Sequence, residues 1–118
     1  MSGHPTFFEL GVADADRARA FYTGLFGWRM EPGPSGSGYA IDTGGVAGGL
    51  HPGDPEASPY LFFAVEDMDA AIARVLELGG SVEDADVEGD ASSVARFGRF
   101  KLCRDDQRSP FGLHQPPA

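Results

Sequence analysis

Four side chains in this 118-residue chain are placed to do chemistry: the carboxylate of Glu9, the imidazoles of His51 and His114, and the phenol of Tyr60. One carboxylate with two imidazoles is a donor set able to hold a divalent cation and leave positions open for substrate oxygens. The alternative for the histidines is that they lie half-wetted near strand ends and bind nothing. Glu9 alone, set against aromatic walls, would have its pKa raised by desolvation, and could act as a base or pair with a cationic ligand. Its alternative is a carboxylate solvated at a sheet rim. Tyr60 could donate a hydrogen bond to a ligand or pack as an amphipathic wall. Cys103, the only cysteine, has no nucleophile signature around it and is expected to be a small buried hydrophobe. Asp105 and Asp106 are adjacent in a turn, where successive side chains point apart, so they are turn chemistry. The glycines from Gly44 to Gly49 precede no helix and cradle no phosphate. His4 falls in a terminus expected to fray.

The elements that position these groups are written twice. Phe8–Ala18 and Leu61–Ala71 share a strand, an acidic cap and a helix start, with Val12/Val65, Asp14/Asp67, Asp16/Asp69 and Ala18/Ala71 in register. Each copy closes on the same tripeptide, Gly49-Leu50-His51 and Gly112-Leu113-His114. A duplication of this size implies two like halves packed around something. In the first half, Thr6–Val12 alternates as a strand and Asp14 caps a helix whose apolar face is Ala18, Phe21, Tyr22, Leu25 and Phe26. Gly27 ends that helix, and Trp28–Met30 starts a short strand. Tyr22 and Trp28 are expected to pack rather than to stack on a ligand. After a Pro/Gly/Ser turn, Tyr39–Asp42 and Val46–His51 form a hairpin. The second half repeats the order from Tyr60–Val65, with a helix face of Ala71, Ile72, Val75 and Leu78 and a Gly79–Gly80 stop. A strand near Val82, an acidic loop through Asp90, and a hairpin of Ala95–Cys103 with Pro110–His114 complete it. Each half therefore reads β-α-β-β-β, an α+β fold with modules at residues 5–51 and 60–115 and a proline-rich linker at 52–59, all in one domain of residues 1–118.

Alternation along the strands sorts the side chains by face. If Phe8, Leu10 and Val12 face the helix, Phe7 and Glu9 face away from it, as do Tyr60 and Phe62 in the second half. Gly49 shares a face with His51, and Gly112 with His114. The expected cavity is therefore lined by Phe7, Glu9, Gly49, His51, Tyr60, Phe62, Gly112 and His114, with aromatic walls, glycine floors and few polar groups.

The formal net charge of −9, with Lys101 the only lysine, argues against nucleic acid as a partner. No basic region followed by an apolar run opens the chain, and no apolar stretch is long enough to span a bilayer. One cysteine admits no internal disulfide. A cytoplasmic protein with no membrane partner is the expectation.

The ordered motifs resemble the vicinal oxygen chelate superfamily, which includes glyoxalase I, extradiol dioxygenases and bleomycin-resistance binding proteins. The resemblance rests on Phe8–Val12 with Asp14, Arg17–Tyr22, Leu25–Trp28, Val65–Ala71, Leu78–Gly80, Arg104–Asp106 and Pro110–Leu113, and covers about Phe7 to His114. It implies that each half curls its strands into half a barrel and that paired halves enclose a cavity. It also implies a homodimer and, in the metal enzymes, a divalent ion held by His or Gln in a half's first strand and Glu in its last. Those positions correspond here to Phe7, Tyr60, Gly49 and Gly112, so the family's metal set does not carry over. The family's turn glycine is replaced by Arg108, which implies either strain or a different turn. The expected function is binding of a small organic molecule in an aromatic cavity, with no cofactor. Two alternatives stand beside it. One is a metal-dependent lyase, isomerase or dioxygenase with a divalent metal on Glu9, His51 and His114; the other is a protein-interaction module.

Overall fold

The computed structural model describes residues 3–33, 36–54, 59–83 and 91–117. The chain divides into two compact units, residues 7–60 and residues 61–118 with the first six. In chain order the elements are β1 (Pro5–Gly11), α1 (Ala15–Phe26), β2 (Arg29–Pro32), β3 (Tyr39–Asp42), β4 (Ala47–His51), β5 (Tyr60–Ala64), α2 (Met68–Glu77), β6 (Ser81–Val82), α3 (Ala91–Phe97), β7 (Arg99–Arg104) and β8 (Pro110–Gln115). The fold is α+β and built from two copies of one module. The strands run β2-β3-β4-β1 in the first copy and β6-β7-β8-β5 in the second. In each, the first strand pairs parallel with the last, and the remaining pairs are antiparallel.

Both helices start where the sequence places an aspartate. Asp14 accepts from the Arg17 N–H at 3.0 Å and Asp67 from the Ala70 N–H at 3.1 Å, each satisfying a donor that the first helical turn leaves unpaired. α2 gains a further cap, because the Met68 N–H donates to Gln115 Oε1 at 2.6 Å. Its end is a Schellman closure in which Gly79, at φ +93°, lets the Gly79 and Gly80 N–H groups reach back to Leu76 and Val75 carbonyls.

The core of residues 7–60 joins Ala15, Met30, Ile41 and Leu50 with Phe8, Leu10, Val12, Ala18, Tyr22 and Trp28. The expected inward alternation of β1 is thus present, and Tyr22 and Trp28 pack. The α1 face is narrower than expected. Phe21, Leu25 and Phe26 are 62%, 60% and 57% exposed, because the facing stripe runs Ala15, Ala18, Tyr22; Phe26 only flanks it, its ring 4.8 Å from that of Trp28. In the second unit, Met68, Cys103 and Leu113 are surrounded by Val65, Ala71, Ile72, Val75, Val82 and Phe111. Leu78, expected on this face, is instead the exposed C-cap of α2. Cys103 is fully buried, and desolvation raises its thiol to about 11, as an inert core residue requires.

Two further differences concern the second copy. The stretch expected to open a hairpin at Ala95 is the end of α3, which is closed by the Gly98 N–H on the Val94 carbonyl with Gly98 at φ +91°. Strand β7 begins only at Arg99. The terminus expected to fray is paired: the Gly3 N–H donates to the Ala64 carbonyl at 2.7 Å, and the Ala64 N–H to the His4 carbonyl at 2.9 Å. The acidic loop (residues 84–90) and most of the linker (residues 55–58) lie outside the described residues.

Asp105 organises the β7–β8 turn, its Oδ1 accepting from the Gln107 and Ser109 N–H groups at 2.8 and 2.9 Å. That leaves Arg108 at φ +71°, the one described non-glycine residue in the left-handed region, which resolves the expectation at this position in favour of strain. Arg108→Gly is therefore expected to stabilise the chain by about 0.5–1 kcal/mol. Urea unfolding should show a higher midpoint with an unchanged slope, and an unchanged or lower midpoint would contradict the strain.

Candidate functional site

Glu9 sits on β1 directly opposite Gly49 of β4. A side chain at residue 49 would collide with Glu9 Oε1, so glycine there makes a notch and the carboxylate fills it. Phe62 of β5 lies opposite Gly112 of β8 in the same way, and a Cβ on Gly112 would run into the Phe62 ring. One backbone device therefore seats a carboxylate in the first copy and a phenyl ring in the second.

Two residues beyond the notch, the histidines follow the same divergence. His51 Nδ1 lies 2.6 Å from Glu9 Oε2, and its Nε2 lies 3.2 Å from Asp54 Oδ2. The Glu9 side chain is 28% exposed and that of His51 43%, so the pair runs from a largely buried carboxylate to a ring open to water. Burial raises the Glu9 pKa, with the hydrogen bond and charge of His51 opposing it. Burial alone would lower the His51 pKa, but hydrogen bonds and charges from Glu9 and Asp54 outweigh it, and the net direction is upward. Glu9 Oε1 has no hydrogen-bond partner among the described residues.

His114 is a different kind of histidine. It is 6% exposed and stacks on Phe100 with ring centroids 4.4 Å apart at 4°. Its Nε2 lies 2.7 Å from the Phe97 carbonyl, which can only accept; Nε2 therefore carries the proton and Nδ1 accepts from the Thr6 hydroxyl at 2.8 Å. Desolvation lowers its pKa, with the Phe97 bond opposing. Both nitrogens are committed to holding α3 and the N-terminal segment.

Of the residues expected at the site, Phe7, Glu9, Gly49, His51 and Tyr60 fall in residues 7–60, while Phe62, Gly112 and His114 fall in the other unit. The structure brings Glu9 and His51 together. The divalent metal of the resembling enzymes finds no set of donors: Phe7, Gly49 and Gly112 offer no side-chain donor, and Tyr60 offers a phenol alone. The two carboxylates around His51 lie on opposite edges of its ring rather than converging on one point. No group of three His, Cys, Asp or Glu among the described residues could hold a metal ion.

Asp54 was not expected at the site. Neither was a groove of about 510 Å³ beside it, lined in part by Asp14, Asp16, Tyr39 and Pro52. Within the groove the Tyr39 hydroxyl donates to Asp16, raising the phenol pKa through that hydrogen bond first, and Arg19 lies over the Tyr39 ring at 5.3 Å. No helix among the described residues is long and apolar enough to cross a membrane.

A duplicated β-α-β-β-β module with a first-to-last parallel strand pair defines the vicinal oxygen chelate class. The glyoxalase-like domain profile matches residues 7–112, and the chain belongs to that family. It is 30% identical over 124 residues to "Putative glyoxylase CFP32" of Mycobacterium tuberculosis, covering 96% of this chain and 46% of that protein. It is 33% identical over 132 residues to the anthracycline biosynthesis protein DnrV of Streptomyces peucetius, covering 94% of this chain and 46% of the relative. The chain thus spans about half the length of these curated relatives. Among solved structures, a hypothetical protein of Bacillus halodurans superimposes with TM-score 0.70 at 16% identity, covering 100% of this chain and 97% of that one. Methylmalonyl-CoA epimerase of Mycobacterium tuberculosis gives 0.66 at 19% identity, covering 98% and 89%. At these identities the likeness is one of fold.

Two expectations follow. Gly112→Ala meets a ring that is 4% exposed and has nowhere to turn, and should cost about 1–3 kcal/mol in urea unfolding. Gly49→Ala meets only the end of a flexible carboxylate, so it should cost under about 1 kcal/mol while displacing Glu9. Equal costs would show that the two notches are not used differently. The second expectation concerns pH. A histidine whose pKa is raised on folding adds stability below about 6.5, its unfolded value, and loses it as pH rises through the folded value. His51→Gln should therefore lose more stability at pH 6 than at pH 8.5, read from unfolding midpoints, and a pH-independent loss would contradict the ion pair.

Proposed function

We propose that this glyoxalase-like protein binds a small organic molecule at the Glu9 face of residues 7–60, without the metal set of its superfamily's enzymes. The observation that carries the reading is Glu9 itself. A carboxylate is kept in a glycine notch, held at one oxygen by His51, with its other oxygen left without a hydrogen-bond partner among the described residues. Such an oxygen is an acceptor for a ligand's hydroxyl or protonated amine, and a partly desolvated charge makes that bond stronger than it would be in water. The names of related proteins lend support. One is named for anthracycline biosynthesis, and a Streptomyces coelicolor structural neighbour is described in complex with 2-nitronate-propionyl-CoA, so small organic molecules recur around this fold. The homodimer implied by the superfamily and a cytoplasmic setting, which a single cysteine suits, belong to the same proposal.

The test is a thermal-shift screen of small organic molecules on wild type and on Glu9→Gln. A compound present at about a hundredfold over its Kd should raise Tm by several degrees in wild type and by much less in Glu9→Gln. A screen without stabilising compounds, or hits indifferent to Glu9→Gln, would overturn the proposal. Stoichiometric nickel, zinc, manganese or iron in protein purified without chelators would overturn its metal-free part.

A further inference from the structure

The outer edge of His51 is held too, at 3.2 Å against 2.6 Å for the inner one. Asp54 is not a loose surface acid: its N–H donates to the Val12 carbonyl at 3.0 Å, and the Gly53 N–H reaches the Ala13 carbonyl at 3.4 Å. The Val12 N–H in turn donates to the His51 carbonyl at 3.0 Å. The two residues after Gly11 thus clamp the turn that carries both His51 and Asp54. Gly53, at φ +77°, gives that turn its reversal.

We infer that Asp54 is a positioning residue of the site: by accepting from His51 Nε2 it fixes the ring with Nδ1–H on Glu9 Oε2, leaving Glu9 Oε1 as the charged acceptor that meets the ligand. The inference rests on the reading of Glu9 as the ligand's acceptor and adds what keeps Glu9 in that state. A carboxylate only accepts when ionised, and a neutral imidazole has one N–H and one lone pair. With carboxylates at both ring nitrogens, a neutral ring would leave one lone pair facing a negative oxygen. Both contacts are hydrogen bonds together only when the ring carries both protons. An imidazolium beside Glu9 favours the ionised carboxylate against the burial that opposes it. A surface acid thereby sets the charge of a buried one.

The surrounding charges do not provide an alternative. Glu9 on β1 and Asp54 after β4 are the charged groups that act on His51. Asp14 and Asp16 at the start of α1 are engaged by the Arg17 N–H and the Tyr39 hydroxyl. Asp42, at the end of β3, accepts from the Gly44 N–H.

Nitrogen-15 NMR of the His51 ring in the intact chain, at pH 6 to 9, tests this. In wild type both ring nitrogens should be protonated at pH 6.5, with a titration midpoint above the ordinary value of about 6.5. Asp54→Ala should lower that midpoint by about 0.5–1 pH unit and let the neutral ring mix tautomers. Asp54→Asn, whose amide oxygen still accepts, should lower the midpoint while retaining one tautomer. An unchanged His51 spectrum in Asp54→Ala, or a wild-type ring that is neutral at pH 6.5, would overturn the inference. The compound screen is scored separately: an Asp54-dependent His51 in a protein that binds nothing refutes the binding proposal and not the positioning role.

Discussion

The first and last strands of each module run parallel and in contact, and the last strand carries glycine opposite the second outward side chain of the first. That close approach is the constraint on which the rest depends. A Cβ at Gly49 or Gly112 has no room, because the facing side chain already occupies it. Whatever stands at residue 9 or residue 62 is therefore pressed onto backbone and shielded on one side. A phenyl ring in that seat joins a core: Phe62 packs edge-on against Phe100, with centroids 5.2 Å apart. A carboxylate in the same seat becomes a desolvated acid that needs a cationic neighbour.

His51 meets that need, and the histidine equivalent to it does not have to. His51 and His114 occupy the same place in their modules, yet their environments move their pKa values in opposite directions. The difference follows from what faces them. His51 has two carboxylates and access to water. His114 has a hydroxyl, a carbonyl and an aromatic ring beside it, and desolvation in that packed setting outweighs the pull of the Phe97 carbonyl toward a second proton. The duplicated backbone sets one histidine between carboxylates that raise its pKa and packs the other where burial lowers it.

Much of this was legible in the sequence, and the limits are physical. The two aspartate caps, the Gly79 stop and the inward faces of β1 and α2 are local properties, fixed by capping chemistry and periodicity. The shared face of Glu9 and His51 followed from strand alternation alone. The width of the α1 stripe was not legible, since periodicity marks a helix but only the packed partner decides which apolar residues it covers; Phe21 and Leu25 are exposed for that reason. Asp54 was hidden because its contact depends on a turn folding back onto Val12 and Ala13, a pairing of distant backbone groups that composition does not report. The role of His114 was hidden behind α3, a short helix whose Phe97 carbonyl accepts from Nε2 while burial, not that bond, lowers the imidazole pKa.

The divergence between the modules also explains where chemistry can reside. A neutral, stacked His114 whose nitrogens are both committed cannot join a ligand without releasing Phe97 or Thr6, and so uncovering polar groups. His51 can change partners at far lower cost, because water reaches its outer edge and Asp54 is itself half-exposed. A proton or a ligand that arrives at Glu9 would therefore meet a partly exposed pair rather than a packed core. A solvent-facing acid–imidazole pair in residues 7–60 and a packed ring in the second copy go with carboxylate against phenyl in an equivalent seat. The glycine opposite each of them is what makes the choice matter.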